Sequence, residues 1–223
     1  MKKFLQHNPT RFAITFLLCV LYSLFREEAI STILKPLPVI FWLLVIIFSK
    51  RQEAGKWVIV SLSFAFLGDI LLDLGDKWLK IGAIPFLSST TFLAWAFHIR
   101  LKLGNDTSTT LRKGIIFLLI TLPFVLLFIT LIRYSTDAAR VGGALFILSV
   151  FLLSTSLSNL LYNDSEKSSR IKSLAGFLGA CGIVANYVLY SIDLYMTPIP
   201  RDLVIQVYYW GTAFVTWSYL EYV

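Results

Sequence analysis

The chain has 223 residues, of which 57% are hydrophobic and only 15% are charged, and its formal net charge is +7. Soluble domains carry about 25% charged residues, so this composition excludes a soluble globular enzyme and a disordered tail and leaves an integral membrane protein. The positive charge does not indicate a nucleic-acid partner, because the basic residues lie in short loops between apolar stretches, as membrane topology predicts.

Eight apolar stretches approach the length of about 20 residues that a helix needs to cross a bilayer. The first follows Lys2, Lys3 and Arg11, as a signal peptide would, but it lacks a cleavage site of small residues and the next stretch follows closely, so we predict a retained helix. The predicted helices cover residues 11–25, 31–49, 57–74, 81–99, 114–132, 138–161, 171–195 and 203–222. Because the linkers are short, we predict one transmembrane domain over residues 1–223, an all-α polytopic bundle of eight transmembrane helices.

Lysine and arginine predict the orientation of this bundle, because cytoplasmic loops are enriched in both. With the N-terminus in the cytoplasm, thirteen of the 20 Lys and Arg residues fall on the cytoplasmic side and seven on the outer side. This bias predicts an N-in, C-in protein with an even number of helices. The small size and the lack of targeting tails are typical of the bacterial cytoplasmic (inner) membrane.

One carboxylate lies at membrane depth in the third predicted helix. Asp69 is about 13 residues into that helix, roughly 20 Å from its cytoplasmic end at 1.5 Å per residue, and therefore in the outer half of the membrane. An ionisable group in a span is costly and is a functional candidate by default. Asp73 follows one turn later on the same face, where it is either solvated at the interface or a partner of Asp69. Two neighbouring carboxylates can divide into a protonated acid and an ionised partner.

Two further polar residues have a structural and a functional interpretation. Asn186 lies about 15 residues into the seventh predicted helix, which runs parallel to the third, so it reaches the depth of Asp69. It either shares a pocket with Asp69 or forms an interhelical hydrogen bond. Lys35 lies near the outer end of the second helix, before Pro36. It is either a lysine that extends to the interface or a cation that pairs with Asp69, with Asp73 or with a lipid phosphate.

Hydroxyl groups in two helices are further candidate site residues. Thr90 belongs to the run of serines and threonines at 88–91 in the fourth predicted helix, where hydroxyls often bond back to helix carbonyls. Tyr208, Tyr209 and Thr212 lie in the outer half of the eighth. An aromatic belt at the membrane interface also accounts for the two tyrosines.

Several kinds of site are excluded by what the sequence lacks. His7 and His98 are the only histidines, too few for a zinc site of three histidines. There is no Gly-x-Ser-x-Gly nucleophile elbow and no phosphate-binding or dinucleotide motif. Cys19 and Cys181 both lie in apolar stretches and suggest neither a disulfide framework nor a metal site. We therefore expect no cofactor and no metal.

Four segments, in this order along the chain, resemble the YhhN family of lysoplasmalogenase-like membrane proteins. Residues 35–38, Lys-Pro-Leu-Pro, are similar to the family's Lys-Pro segment at the second helix, and Gly68-Asp69 within 63–72 is similar to its Gly-Asp signature on the third. Residues 179–189 are similar to its Gly-Ala…Ser-Asp seventh helix, and 208–212 to its Tyr-Tyr-x-x-Gln start of the eighth. The resemblance covers nearly the whole chain. It implies an eight-helix fold and hydrolysis of the vinyl ether bond of a lysophospholipid to a fatty aldehyde and a glycerophospho-base.

The chain departs from the family pattern at three positions. Asn186 replaces the aspartate of the seventh helix, Thr90 aligns with a histidine of the fourth, and Thr212 aligns with the glutamine of the eighth. An asparagine cannot act as a proton-transfer base at ordinary pH, so a second carboxylate would have to come from Asp73 or Asp193. By resemblance, the catalytic candidates are Asp69, Asp73 and Asn186, and the substrate-binding candidates are Lys35, Thr90, Asp193, Tyr208, Tyr209 and Thr212.

Three functions remain open at this point. The first is a membrane hydrolase of lysoplasmalogen type, with a lysophospholipid or another single-chain lipid as its partner within the bilayer. The second is a catalytically inactive lipid-binding or structural protein of the same fold. The third is a small proton-coupled transporter with Asp69 as proton carrier, which ranks last because Pro85 and Pro123 do not form a clear pair of broken helices. The sequence decides neither the oligomeric state nor whether the protein is catalytically active.

Overall fold

The computed structural model describes residues 8–25, 30–73, 79–102, 119–123, 125–126, 129, 136–162, 167–195 and 197–221. Its helices are α1 (Asn8–Leu24), α2 (Ser31–Leu34), α3 (Leu37–Phe48), α4 (Gly55–Asp73), α5 (Leu79–Lys102), α6 (Thr136–Tyr162), α7 (Lys167–Tyr195) and α8 (Arg201–Ser218). Within these residues the only strand-like pairing is one isolated bridge between Arg51 and Leu220. The predicted all-α class is therefore confirmed for the described part of the chain.

Helices occupy seven of the eight predicted stretches. The predicted helix at 114–132 lies mostly outside the described residues, although 119–123 are helical. Among the described residues, three stretches are long and apolar enough to cross a membrane: Ser31–Phe48, Gly55–Leu72 and Arg170–Asp193. These stretches support a membrane protein. Eight transmembrane crossings and the N-in, C-in orientation stay predictions.

The second predicted helix is interrupted, and its prolines explain the interruption. Helix α2 ends at Leu34 and α3 begins at Leu37, with Lys35 and Pro36 between them. Proline has no backbone N–H, so residues 36 and 38 cannot donate to the helix ladder. The fully buried Tyr209 of α8 donates its hydroxyl to the carbonyl oxygen of Lys35 at this break. Pro85, by contrast, lies inside the continuous helix α5.

The helices pack in sequence around a common interior. Helices α4 and α5 pack together, α6 packs against α5 and α7, α7 packs against α8, and α3 contacts both α4 and α8. Helices α7 and α8 cross closely, because a Cβ added at Gly179 would lie 2.6 Å from the carbonyl oxygen of Gly211. Small residues allow two helix backbones to approach this closely in a membrane protein.

Buried cations bind the end of α8. Arg100 of α5 donates to the carbonyl oxygen of Ser218 at 3.2 Å, and Lys172 of α7 donates to that of Leu220. The Arg100 guanidinium also lies 5.3 Å from the ring centre of Tyr219. Cations at a helix C-terminus are favoured by the helix dipole. Both residues belong to the thirteen cytoplasmic charges of the topology count, and in the structure they join three helices.

Candidate active site

Helix α4 places Asp69 inside the bundle rather than against lipid. Its buried face runs through Val58, Ser61, Leu62 and Ala65 and ends at Asp69, which is 3% exposed. These residues are spaced by three or four, the spacing that keeps residues on one side of an α-helix. The helical periodicity of α4 thus brings the carboxyl group of Asp69 into the protein interior.

Two tyrosines from different helices lie beside this carboxyl group. Asp69 interacts electrostatically with both Tyr187 of α7 and Tyr208 of α8. The ring of Phe86 on α5 stands edge-on to both, with ring centres 6.5 Å from Tyr187 and 6.1 Å from Tyr208. Asp69, Phe86 and the two tyrosines therefore bring α4, α5, α7 and α8 to one point.

Gly68 makes room for Phe86 beside Asp69. A Cβ added at Gly68 would lie 2.7 Å from Cε2 of the Phe86 ring, well inside the contact distance of about 3.5–4.0 Å between carbon atoms. Only a residue without a side chain allows the ring to lie there. This close approach gives a physical reason for a glycine directly before Asp69.

Thr90 and Tyr187 form a hydrogen bond whose direction can be assigned. Their hydroxyl oxygens are 2.7 Å apart, and the Thr90 hydroxyl also donates to the carbonyl oxygen of Phe86 at 2.9 Å. Threonine has one hydroxyl proton. Because that proton is used by Phe86, Tyr187 is the donor to Thr90. The Tyr187 oxygen is then left as an acceptor for a donor nearby.

A small cavity lies between these four helices, on the face of α4 that carries Asp69. Its polar walls are hydroxyls: Ser61 and Ser89, whose oxygens are 3.0 Å apart, together with Thr90, Tyr187, Tyr208 and Thr212. Its apolar walls are Val58, Leu62, Ala65, Leu93, Ile183 and Val215. The space open to the centre of a water molecule is about 10 Å³, on the order of one water.

Four of the residues singled out in the sequence come together here. Thr90, Tyr208 and Thr212 line the cavity, and Asp69 interacts with Tyr208. The sequence analysis missed Tyr187, although it follows Asn186 directly. Tyr187 continues a buried face of α7 that includes Ala180, Ile183 and Val184, and that spacing is the signal that points to it.

The remaining candidates that the structure describes take part in hydrogen bonds away from the cavity, each of which involves a backbone group. The Asn186 amide donates to the carbonyl oxygen of Val204 at 2.8 Å, and Asp193 accepts from the N–H of Ile199 at 2.8 Å. These bonds join α7 to α8 and to the turn between them. Lys35 and Tyr209 meet at the break between α2 and α3. The predicted site roles of these four residues stay predictions.

The side chain of Asp73 lies outside the described residues, so its predicted role also stays a prediction. Within the part of the chain that the structure describes, no group of three or more His, Cys, Asp or Glu side chains could hold a metal ion.

The model of the YhhN family matches residues 30–219 of the chain. The match includes α2 to α8 and so contains every residue of the cavity. No curated protein and no solved structure matches the chain.

Proposed function

The chain belongs to the YhhN family, and we propose from this membership and from the site around Asp69 that it is a lysoplasmalogenase-like membrane hydrolase. Its substrate would be a lysophospholipid whose chain is attached by a vinyl ether bond, and its products a fatty aldehyde and a glycerophospho-base. The observation that carries the proposal is the buried carboxyl group of Asp69 beside two tyrosines and a hydroxyl-lined cavity with room for one water.

The chemistry of a vinyl ether explains why one buried carboxyl group is useful. Hydrolysis begins when an acid transfers a proton to the alkene carbon that does not carry the oxygen. The other carbon then becomes an oxocarbenium ion, and water adds to it. A positioned general acid typically contributes 10²–10⁴-fold to such a proton transfer. Asp69 in its protonated form is the acid in this proposal, with the acceptor oxygen of Tyr187 available to orient its proton.

A single carboxyl group can complete the reaction. After giving its proton to carbon, Asp69 is a carboxylate and accepts a proton from the attacking water. The resulting hemiacetal collapses when Asp69 returns that proton to the ether oxygen and takes the hydroxyl proton, which releases the aldehyde and the alcohol. One water is consumed and Asp69 ends protonated. In this scheme the chain does not need the aspartate that Asn186 replaces.

A catalytically inactive lipid-binding protein is the second candidate, and one observation favours it. The Asn186 side chain donates a hydrogen bond to the backbone carbonyl of Val204, and the Asp193 side chain accepts one from the backbone N–H of Ile199. Neither of these α7 side chains is therefore placed to act as a second proton carrier. If vinyl ether hydrolysis in this fold requires two carboxyl groups, the chain has kept the fold without the activity.

Aldehyde release from a lysoplasmenyl phospholipid by the purified protein in detergent separates the two candidates. Asp69→Asn keeps the shape of the side chain and removes the acid, so we expect release to fall by about 100-fold or more. Glu53→Gln is the matched control, because it neutralises an exposed carboxylate in the loop before α4. No release by the unmodified protein, with lipid still bound to it, would favour the inactive candidate.

A further inference from the structure

The cavity below Asp69 has the chemistry of a water site. Six of its lining residues present hydroxyl groups, and its volume is on the order of one water molecule. An alkenyl chain does not fit in a space of this size. A ligand of the cavity must therefore be very small and must both donate and accept hydrogen bonds.

The hydroxyl protons show which groups are available to such a ligand. Ser61 and Ser89 share one hydrogen bond between two hydroxyls, which leaves one proton uncommitted. The buried hydroxyl of Tyr208 forms at most a weak hydrogen bond with the Thr212 side chain, because this contact does not reach normal hydrogen-bond geometry, and no other described residue bonds to it. A buried hydroxyl that lacks a partner is destabilising, and buried water commonly satisfies such groups through two to four hydrogen bonds.

This site is close to the acid of the proposed reaction. Ala65 lines the cavity, and Asp69 lies one helical turn further along the same face of α4. Tyr187 and Tyr208 also line the cavity, and both interact with Asp69. A water in the cavity would therefore lie about one helical turn from the carboxyl group that accepts its proton in the proposed reaction.

We propose that this cavity holds the water that the reaction consumes, and that Ser61, Ser89, Tyr208 and Thr212 are positioning residues for it. The inference rests on the proposed hydrolase function. After Asp69 has protonated the vinyl carbon, the water oxygen forms a bond to the oxocarbenium carbon, and one water proton passes to the Asp69 carboxylate. No reactant other than water and the lipid is needed.

A water held inside the bundle has a measurable consequence. Methanol in the medium competes for an oxocarbenium ion that is open to solvent and gives a mixed methyl acetal instead of the aldehyde. A positioned water is already in place at the moment of protonation, so the unmodified protein gives mainly aldehyde even when methanol is present. Loosening the water site raises the fraction of methyl acetal.

Two isosteric substitutions one turn apart on α8 test the proposal. Thr212→Val removes a hydroxyl that lines the cavity. Thr216→Val is the control, because the Thr216 hydroxyl is also fully buried but bonds to the carbonyl oxygen of Thr212 in its own helix. For Thr212→Val we expect kcat to fall roughly tenfold to a hundredfold, with KM little changed and a larger fraction of methyl acetal. For Thr216→Val we expect the rate and the product ratio of the unmodified protein.

The outcomes separate this inference from the function on which it rests. Aldehyde release by the unmodified protein, with the same rate and product ratio in both threonine variants, would overturn the water site and leave the hydrolase standing. No aldehyde release by the unmodified protein would overturn both. If Thr212→Val does not fold, Ser89→Ala replaces it in the same assay. An experimental structure with ordered water within hydrogen-bond distance of the Tyr208 hydroxyl supports the proposal, and one that shows ordered water elsewhere but none there overturns it.

Discussion

Replacing Gly68 with alanine tests the contact that places the two tyrosines beside Asp69. The added Cβ would lie 2.7, 2.8 and 3.1 Å from three atoms of the Phe86 ring. Contacts between carbon atoms are optimal near 3.5–4.0 Å, so the ring must move by about 1 Å. Such overpacking typically costs about 1–3 kcal/mol, and the better helix propensity of alanine offsets about 1 kcal/mol. We therefore expect a net destabilisation of about 0–2 kcal/mol.

The loss of activity in Gly68→Ala is expected to exceed the loss of stability. Because Phe86 contacts both Tyr187 and Tyr208, its movement displaces groups beside the reacting carboxyl, and a displacement of about 1 Å can cost on the order of 100-fold in rate. Gly82→Ala is the control. A Cβ there would be 2.8 Å from Leu72, which overpacks the same helix pair through a residue that does not line the cavity.

Thermal unfolding in detergent and aldehyde release would be measured for both glycine variants. We expect similar midpoints for the two and a much lower rate only for Gly68→Ala. Phe86→Leu, added to Gly68→Ala, removes the ring that clashes and is expected to recover stability more than activity. Equal rates in Gly68→Ala and Gly82→Ala would refute the argument that Phe86 positions the site.

Three further predictions follow from contacts of the bundle. Thr90→Val removes the acceptor of the Tyr187 hydroxyl and should lower the rate of aldehyde release about tenfold or more. Thr91→Val, at an exposed hydroxyl that bonds within its own helix, is the control and should leave that rate unchanged. Equal rates in the two variants would contradict the assignment of Tyr187 as the donor to Thr90. Tyr209→Phe should lower the free energy of unfolding by about 1–2 kcal/mol in denaturant titrations, and an unchanged value would mean that its bond at the helix break contributes nothing. Gly211→Ala places a Cβ 2.8 Å from a backbone nitrogen of α7, so we expect a destabilisation of about 1–3 kcal/mol in the same titrations. A stability at or above that of the unmodified protein would refute the close crossing of α7 and α8.

Much of the fold could be predicted because the apolar stretches have nearly the length that a bilayer requires. The break at Lys35–Pro36 shows where that reasoning stops. The prolines were visible in the sequence, but hydropathy averages over them and does not register a missing N–H. The hydroxyl of Tyr209, which bonds at the break, is more than 170 residues away, and no local pattern connects the two.

The cations show a second limit. Arg11, Arg100 and Lys172 enter a topology count only as charges on the cytoplasmic side, but all three are buried, with 3%, 6% and 5% of their surfaces exposed. Arg11 donates to Ser49, and the other two donate to the end of α8. Charge alone predicts the side of the membrane, whereas the partner of each charge depends on how distant helices pack.

The candidate site could be predicted in part. Depth in one helix marked Asp69 as a candidate, and the family resemblance added Thr90, Tyr208 and Thr212, which line the cavity near it. The bond of Asn186 to Val204 depends on how far α7 approaches α8. That distance is set by the glycine contacts between those two helices, so the sequence could only leave a pocket and an interhelical bond as alternatives.

Hydrolysis in D₂O tests the central claim most directly, because it reports where the proton goes. The substrate is a lysoplasmenyl phospholipid. The aldehyde is reduced to the alcohol as it forms, and the mass of the alcohol is measured by mass spectrometry. If Asp69 protonates the vinyl carbon, the aldehyde carries one deuterium on the carbon next to its carbonyl, and Asp69→Asn gives almost no product while Glu53→Gln gives the normal yield. Aldehyde without that deuterium, or undiminished labelled aldehyde from Asp69→Asn, would contradict the account.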